Sequence, residues 1–229
     1  MRKFLFLTCS CFLCGLLWTG INAGVNLGDS VSSLDQDVAK KNPLVIVSIA
    51  PYKYFVEKIT AGAVDVKTIV PEGVNSHTYE PSPRSLSPLV KADIWFQVGD
   101  SFENKLAPVL LEKNPNLKIY DLRSFVSLIY TEHNCCHSHN HSHEDRAHND
   151  AFSDVHTWMD PKNALMQCEA MYKILSKHFP ELSFTSSYED LKTSLETLDE
   201  EIAFTLRNSA SLSFVTSHPS FAYFCKRYN

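Results

Sequence analysis

Three histidines occupy distinctive short segments far apart in the chain: His77 in NSHTYEPSP, His156 in DVHTWMDPKNA and His218 in SHPSFAYF. Imidazole nitrogen is a preferred zinc ligand, held at about 2.0–2.1 Å in a tetrahedral shell. A lone loop histidine is more often a solvated side chain than a ligand, so the segments around these three carry the argument. Pro81 and Pro83 stiffen the chain after His77, and Pro161 fixes the turn after His156. Asp160 or Asn163 is placed to cap the helix that follows. His77, His156 and His218 are the candidate metal ligands.

A different kind of cluster, HNCCHSHNHSHEDRAH, lies between the first two. It holds His133, His137, His139, His141, His143 and His148, with Cys135 and Cys136 among them. The alternation H-S-H-N-H-S-H offers no apolar residue to bury, which predicts an exposed, flexible loop. These histidines form a candidate secondary metal site that gathers zinc or senses its abundance; the plainer reading is a low-complexity linker with incidental metal affinity. His143, Glu144 and His148 imitate the HExxH motif of zinc proteases, but the spacing is one residue too long. On a helix it turns the second histidine roughly 140° off the face of the first.

The elements that must position these residues follow from hydrophobic pattern. Leu44 to Ile49 is a continuous apolar, β-branched run of the kind buried on both faces of a parallel sheet. Tyr54, Phe55 and Ile59 recur at helical spacing, Val64–Val70 reads as a second strand, and His77 follows in a Pro- and Gly-rich loop. Ser85–Lys91 reads as helix, Ile94–Val98 as strand, Phe102–Leu111 as helix and Lys118–Tyr120 as a short strand. This alternation predicts an α/β layout with parallel strands, whose ligands sit beyond the carboxyl ends of the strands. Asn163–His178 predicts a helix stopped at Phe179-Pro180. A longer helix, Ser186–Arg207, carries Leu191, Leu195, Leu198, Ile202 and Leu206 as an apolar stripe. It is either an ordinary packed helix or a spine joining two lobes. Leu212–Thr216 reads as a new strand with His218 just past its end, opening a second α/β lobe that the remaining residues are too few to complete. The chain therefore reads as truncated.

Composition is that of an ordinary globular protein: 229 residues, 44% hydrophobic and 21% charged. Residues 1–23 have the layout of a secretory signal peptide, with Arg2 and Lys3, an apolar run from Phe4 to Trp18, and a small-residue end at Ala23. The run is too short for a comfortable membrane span, which needs roughly 20 residues. A lipid anchor at Cys14 fits poorly, because Cys11-Phe12-Leu13 is no lipobox. Residues 24–42 are polar and aperiodic, a mobile lead-in. Residues 1–23 hold two bases and no acid, so their removal takes the formal charge from −5 to −7, which argues against nucleic acid as a partner. Of seven cysteines, Cys9, Cys11 and Cys14 leave with the signal, and spacing does not decide whether Cys168 pairs with Cys225.

The segments NSHTYEPSPRSL, Ala92-Asp93-Ile94 leading to Val98-Gly99 and Phe102-Glu103, DVHTWMDPKNA and SHPSFAYFCKRY together resemble the substrate-binding proteins of bacterial zinc and manganese ABC importers. The resemblance runs from Pro43 to Asn229. It implies two α/β lobes joined by one long helix: an N-terminal lobe at 43–182 that includes the His-rich loop, a connecting helix at 183–209, and the start of a C-terminal lobe at 210–229. It implies a metal held between the lobes, with His77 and His156 from the first and His218 from the second. Members selective for manganese tend to carry a carboxylate where His218 stands, so a third imidazole suggests zinc. The His-rich loop also resembles the zinc subgroup. Two departures leave the fourth ligand position open: the acidic residue that many members supply from the rest of the second lobe has no counterpart here, and the acid that others place before the first histidine is Ser76.

The implied function is periplasmic capture of Zn²⁺ by a monomeric receptor, not an enzyme, that delivers it to an ABC permease in the cytoplasmic membrane. Alternatives are a manganese (Mn²⁺) or iron (Fe²⁺) receptor of the same family, a non-transporting zinc buffer working through the His-rich tract, and a zinc hydrolase with Glu80 as its base.

Overall fold

The computed structural model describes residues 42–131, 152–209 and 213–228, all within one unit, Lys41–Asn229. The apolar run at its start forms strand β1 (Leu44–Val47), with all four residues buried. It pairs in parallel with β2 (Asp65–Thr68) on one side and β3 (Ile94–Gln97) on the other. β3 pairs in parallel with β4 (Lys118–Asp121), giving the order β2-β1-β3-β4. The α/β fold with a parallel sheet is thus as the alternation predicts. The central strands β1 and β3 carry the buried runs, including Trp95 and Phe96 at 0% exposure. Edge strand β2 alternates exposed and half-buried residues, as expected of a strand with one open side.

Helix α1 (Ala50–Thr60) starts where Pro51 occupies its first turn and buries Tyr52, Phe55, Val56 and Ile59. This early start trims the expected strand at Val47, two residues short of Ile49. The helix expected at Ser85–Lys91 is instead α2 (Pro83–Leu86), capped by the Ser82 hydroxyl. Residues 87–91 are turns. Pro88 has no N–H to donate into a continuing helix. Helix α3 (Ser101–Lys113) follows β3, and α4 (Pro161–His178) has Pro161 in its first turn. Of the two capping residues the sequence offers, Asp160 does the work: its carboxylate accepts from the Lys162 N–H at 2.8 Å.

Helix α5 (Thr185–Arg207) packs on α4 and α1. Tyr188 stacks on Tyr172 with centroids 4.4 Å apart, and the Ser187 hydroxyl donates to the Ile59 carbonyl at 2.7 Å. The apolar stripe is buried only over its N-terminal half. Leu191 and Leu195 are in the core, whereas Leu198 is 43% exposed. A two-residue antiparallel ladder, β5 (Tyr130–Thr131) with β6 (Phe152–Ser153), brackets residues 132–151. Strands this short leave no periodic trace in sequence. Cys168 and Cys225 are both free.

The expected strand at Leu212–Thr216 is corrected: Ser213–Thr216 has no strand structure. A strand is held by ladder hydrogen bonds to a neighbour, and no described strand lies alongside this one. A short helix, α6 (Ala222–Tyr228), follows instead and buries Tyr223.

Candidate metal centre

His77 sits at the carboxyl end of the sheet, in a 3-10 turn, Ser76–Thr78, whose first N–H groups are met by Asn75. The Asn75 side-chain Oδ1 accepts from the His77 N–H at 3.0 Å. The ring is aimed from the loop after β3: His77 Nδ1 lies 3.0 Å from Asp100 Oδ2. Asp100 is the N-cap of α3 and accepts the Ser101 N–H at 2.7 Å through its other oxygen. Burial alone raises the Asp100 carboxyl, but hydrogen bonds from His77 and Ser76 outweigh it and hold the group below the usual carboxylate range. The same hydrogen bond raises His77 above an ordinary imidazole, against the opposing effect of burial.

The loop that carries Asp100 is pinned by Glu103 one turn into α3. Its buried carboxylate accepts the Val98 and Gly99 N–H groups at 2.8 Å each, and the Ser48 hydroxyl. Ser48 in turn accepts from the Trp95 indole at 3.0 Å. Burial pushes the Glu103 carboxyl up to about 7 despite these donors. Gly99 has φ +93°, and a Cβ there would stand 2.0 Å from Arg123 Nε. Glycine alone suits both the left-handed backbone and the close approach.

His156 follows β6 directly and is oriented by Asp154, whose Oδ1 accepts the His156 backbone N–H at 2.9 Å and faces Nδ1 at 2.7 Å. Hydrogen bonds from His156 outweigh the burial that would raise the Asp154 carboxyl and leave it below the usual range. The next residue anchors the turn: buried Thr157 accepts from Gln167 Nε2 at 2.8 Å. His218 arrives without a strand. Thr216 Oγ1 accepts its N–H at 3.4 Å and donates to its carbonyl at 3.0 Å. Burial, then the other two imidazoles, lowers its pKa. Among the described residues no carboxylate is paired with its Nδ1.

The three rings converge through Nε2. His156 Nε2 is 3.0 Å from His218 Nε2 and 3.4 Å from His77 Nε2, and ligand atoms of all three lie within 4.8 Å of one another. Nitrogens bound tetrahedrally to zinc at 2.0–2.1 Å stand roughly 3.3 Å apart, so the spacing fits one small cation. Carboxylates on Nδ1 of His77 and His156 hold the proton there and leave Nε2 as a lone pair. His218 Nε2, 3.0 Å from the bare His156 Nε2, stands at hydrogen-bond distance from it. Around them lies a cavity of about 580 Å³ whose lining includes Trp158 and a single acid, Glu72.

The structure therefore brings together all three sequence-selected histidines. It adds Asp100 and Asp154, which sequence reasoning missed; Asp154, two residues before His156, was the one legible signal. Glu80 does not line the cavity: its side chain is 86% exposed and lies 3.7 Å from Lys105. His133, His137, His139, His141, His143 and His148 lie outside the described residues.

Residues 45–229 match the family described as zinc-uptake complex component A, periplasmic (ZnuA). The chain belongs to that family. Family and fold are those of the solute-binding receptors of metal ABC importers. A Chlamydia trachomatis serovar D protein named for metal binding is 28% identical over 215 residues, 93% of this chain and 69% of that one. Zinc-binding protein AdcA of Streptococcus pyogenes serotype M3 is 25% identical over 205 residues, 84% of this chain and 39% of AdcA. The crystal structure of ZnuA superposes with a TM-score of 0.70 at 27% identity, covering 82% of this chain and 68% of that one. The chain thus spans about two thirds of the chlamydial protein and of ZnuA, and well under half of AdcA.

Proposed function

We propose that this member of the ZnuA family captures Zn²⁺ outside the cytoplasmic membrane, with neutral His77, His156 and His218 as ligands, and passes it to an ABC permease. The observation that carries this reading is the convergence of three Nε2 atoms at 3.0 and 3.4 Å, two of them backed by buried carboxylates. Three nitrogens with no carboxylate among them favour borderline zinc over manganese or iron, which take oxygen more readily. Residues 1–23 serve as the export signal to the periplasm, α5 as the spine between two lobes, and the His-rich tract as an accessory collector of zinc. The base that a hydrolase reading assigned, Glu80, is turned to solvent.

Calorimetric titration with Zn²⁺ and Mn²⁺, run on the wild-type protein, a deletion of residues 133–148 and His77→Ala, tests the proposal. One tight zinc site that survives the deletion and is lost in His77→Ala is the expected result. Weak sites that vanish with the tract and ignore His77→Ala would make the protein a zinc buffer, and tighter binding of Mn²⁺ than Zn²⁺ would reassign the cargo.

A further inference from the structure

His77 and His156 each follow a strand and lean on a carboxylate. Among the described residues His218 has neither support. What holds it is its own segment, residues 214–228. Phe214 and Phe221 meet edge to face at 5.2 Å across the loop that carries His218. Phe221 meets Phe224 at 6.0 Å, and Phe224 meets Tyr228 at 4.9 Å. These contacts make the loop and α6 one clipped piece with the imidazole at its tip.

The piece is fastened at two places. Five residues after His218, Tyr223 is buried to 3% exposure. Its hydroxyl donates to the Asp154 carbonyl at 2.9 Å and accepts the Ile129 N–H at 3.0 Å. One turn further on, Arg227 makes two hydrogen bonds to Asp199 on α5, at 3.0 and 2.6 Å. The Tyr228 hydroxyl adds a third to Asp199 at 2.7 Å. A paired guanidinium–carboxylate contact fixes orientation as well as distance. The Tyr223 contact falls on the backbone of the residue that orients His156, so this fastening refers the third imidazole directly to the second.

We infer that Tyr223 and the Arg227–Asp199 pair are positioning residues for the third metal ligand: they set where His218 Nε2 stands relative to the other two nitrogens. This rests on the three-histidine reading above. A rigid third ligand is in place before the ion arrives; a loosened one must be ordered on binding, at a cost in affinity.

The test is a zinc affinity cycle by chelator competition, with Tyr223→Phe and Arg227→Met each made in the wild type and in His218→Ala, and thermal stability of the metal-free protein measured throughout. Tyr223→Phe keeps the buried ring and so guards against simple unfolding. Each variant is expected to weaken zinc binding tenfold or more when His218 is present and to change it less than twofold when His218 is absent, with the same shift in melting temperature in both backgrounds. Equal losses in both backgrounds, or no loss in either, would overturn the inference, because a merely structural role does not depend on His218. His77→Ala separates the two levels of failure: if it leaves zinc affinity intact the site itself is wrong, whereas if it abolishes binding and the cycle is additive, only the positioning role falls.

Discussion

Replacing Asp154 by Ala should weaken zinc binding although the side chain lies behind the ligand rather than on the metal. One carboxylate oxygen receives both the His156 backbone N–H and Nδ1, at 2.9 and 2.7 Å, in a setting where the Asp154 side chain is 7% exposed. Without it the ring is free to tilt, and the proton is free to move to Nε2, the nitrogen that must stay bare. Loss of such an outer partner typically weakens metal affinity by about 10–100-fold, which corresponds to roughly 1.4–2.8 kcal/mol. The Tyr223 hydroxyl bonds to the Asp154 main-chain carbonyl, so that fastening survives the substitution and the loss reports on ring orientation. Competition with a chromophoric chelator at neutral pH measures the change, with Asp190→Ala on the exposed face of α5 as control. A dissociation constant within twofold of wild type, in a protein whose His156→Ala variant no longer binds zinc, would refute the idea that the carboxylate presets the ligand.

Zinc binding should be lost on acidification through a pH above the ordinary imidazole value of 6.5, because the Asp100 hydrogen bond raises His77 and only its neutral form binds metal. Asp100→Asn is expected to move that loss to lower pH, read from zinc titrations at several pH values. In the metal-free protein the raised His77 contributes stability that is fully present below pH 6.5 and is lost as pH rises through its folded value. Glu103 acts in the same direction for a different reason. Its carboxyl is raised from 4.5 to about 7 in the folded state, so stability falls as pH climbs through that window, by roughly 3 kcal/mol in all. Urea unfolding of metal-free wild type and Glu103→Gln between pH 4.5 and 8 should show a flatter pH dependence in the variant, and parallel curves would contradict it.

Much of this protein was legible before folding. The apolar run at Leu44–Val47, the strand–helix alternation through Asp121 and the long periodic helix at Thr185–Arg207 each announce themselves within a window of ten or so residues, because burial on one face imposes a local period and burial on both faces an unbroken apolar run. Two of the three histidine segments stood out for a related reason: turn-forming Asn, Pro and Asp residues beside His77 and His156 mark chain that must hold a fixed shape. Where local signals misled, a neighbour was the missing factor. Ser213–Thr216 has the composition of a strand, yet strand structure needs a partner edge, and sequence pattern does not say whether one is alongside. The two-residue ladder β5–β6 and the seven-residue helix α6 are too short for periodicity to reveal.

The amino-acid sequence by itself determined the parallel sheet, the residue types able to bind zinc and the loops that carry them. Tertiary structure alone decided that His77, His156 and His218, separated by 79 and 62 residues along the chain, point their Nε2 atoms at one place. It also selected Asp100 and Asp154 from 26 acidic residues to stand behind two of them. The physical reason is that hydrophobic periodicity is a property of near neighbours along the chain. A metal site is a property of side chains brought together across the carboxyl edge of a sheet, and its distances are fixed only once the core beneath has packed.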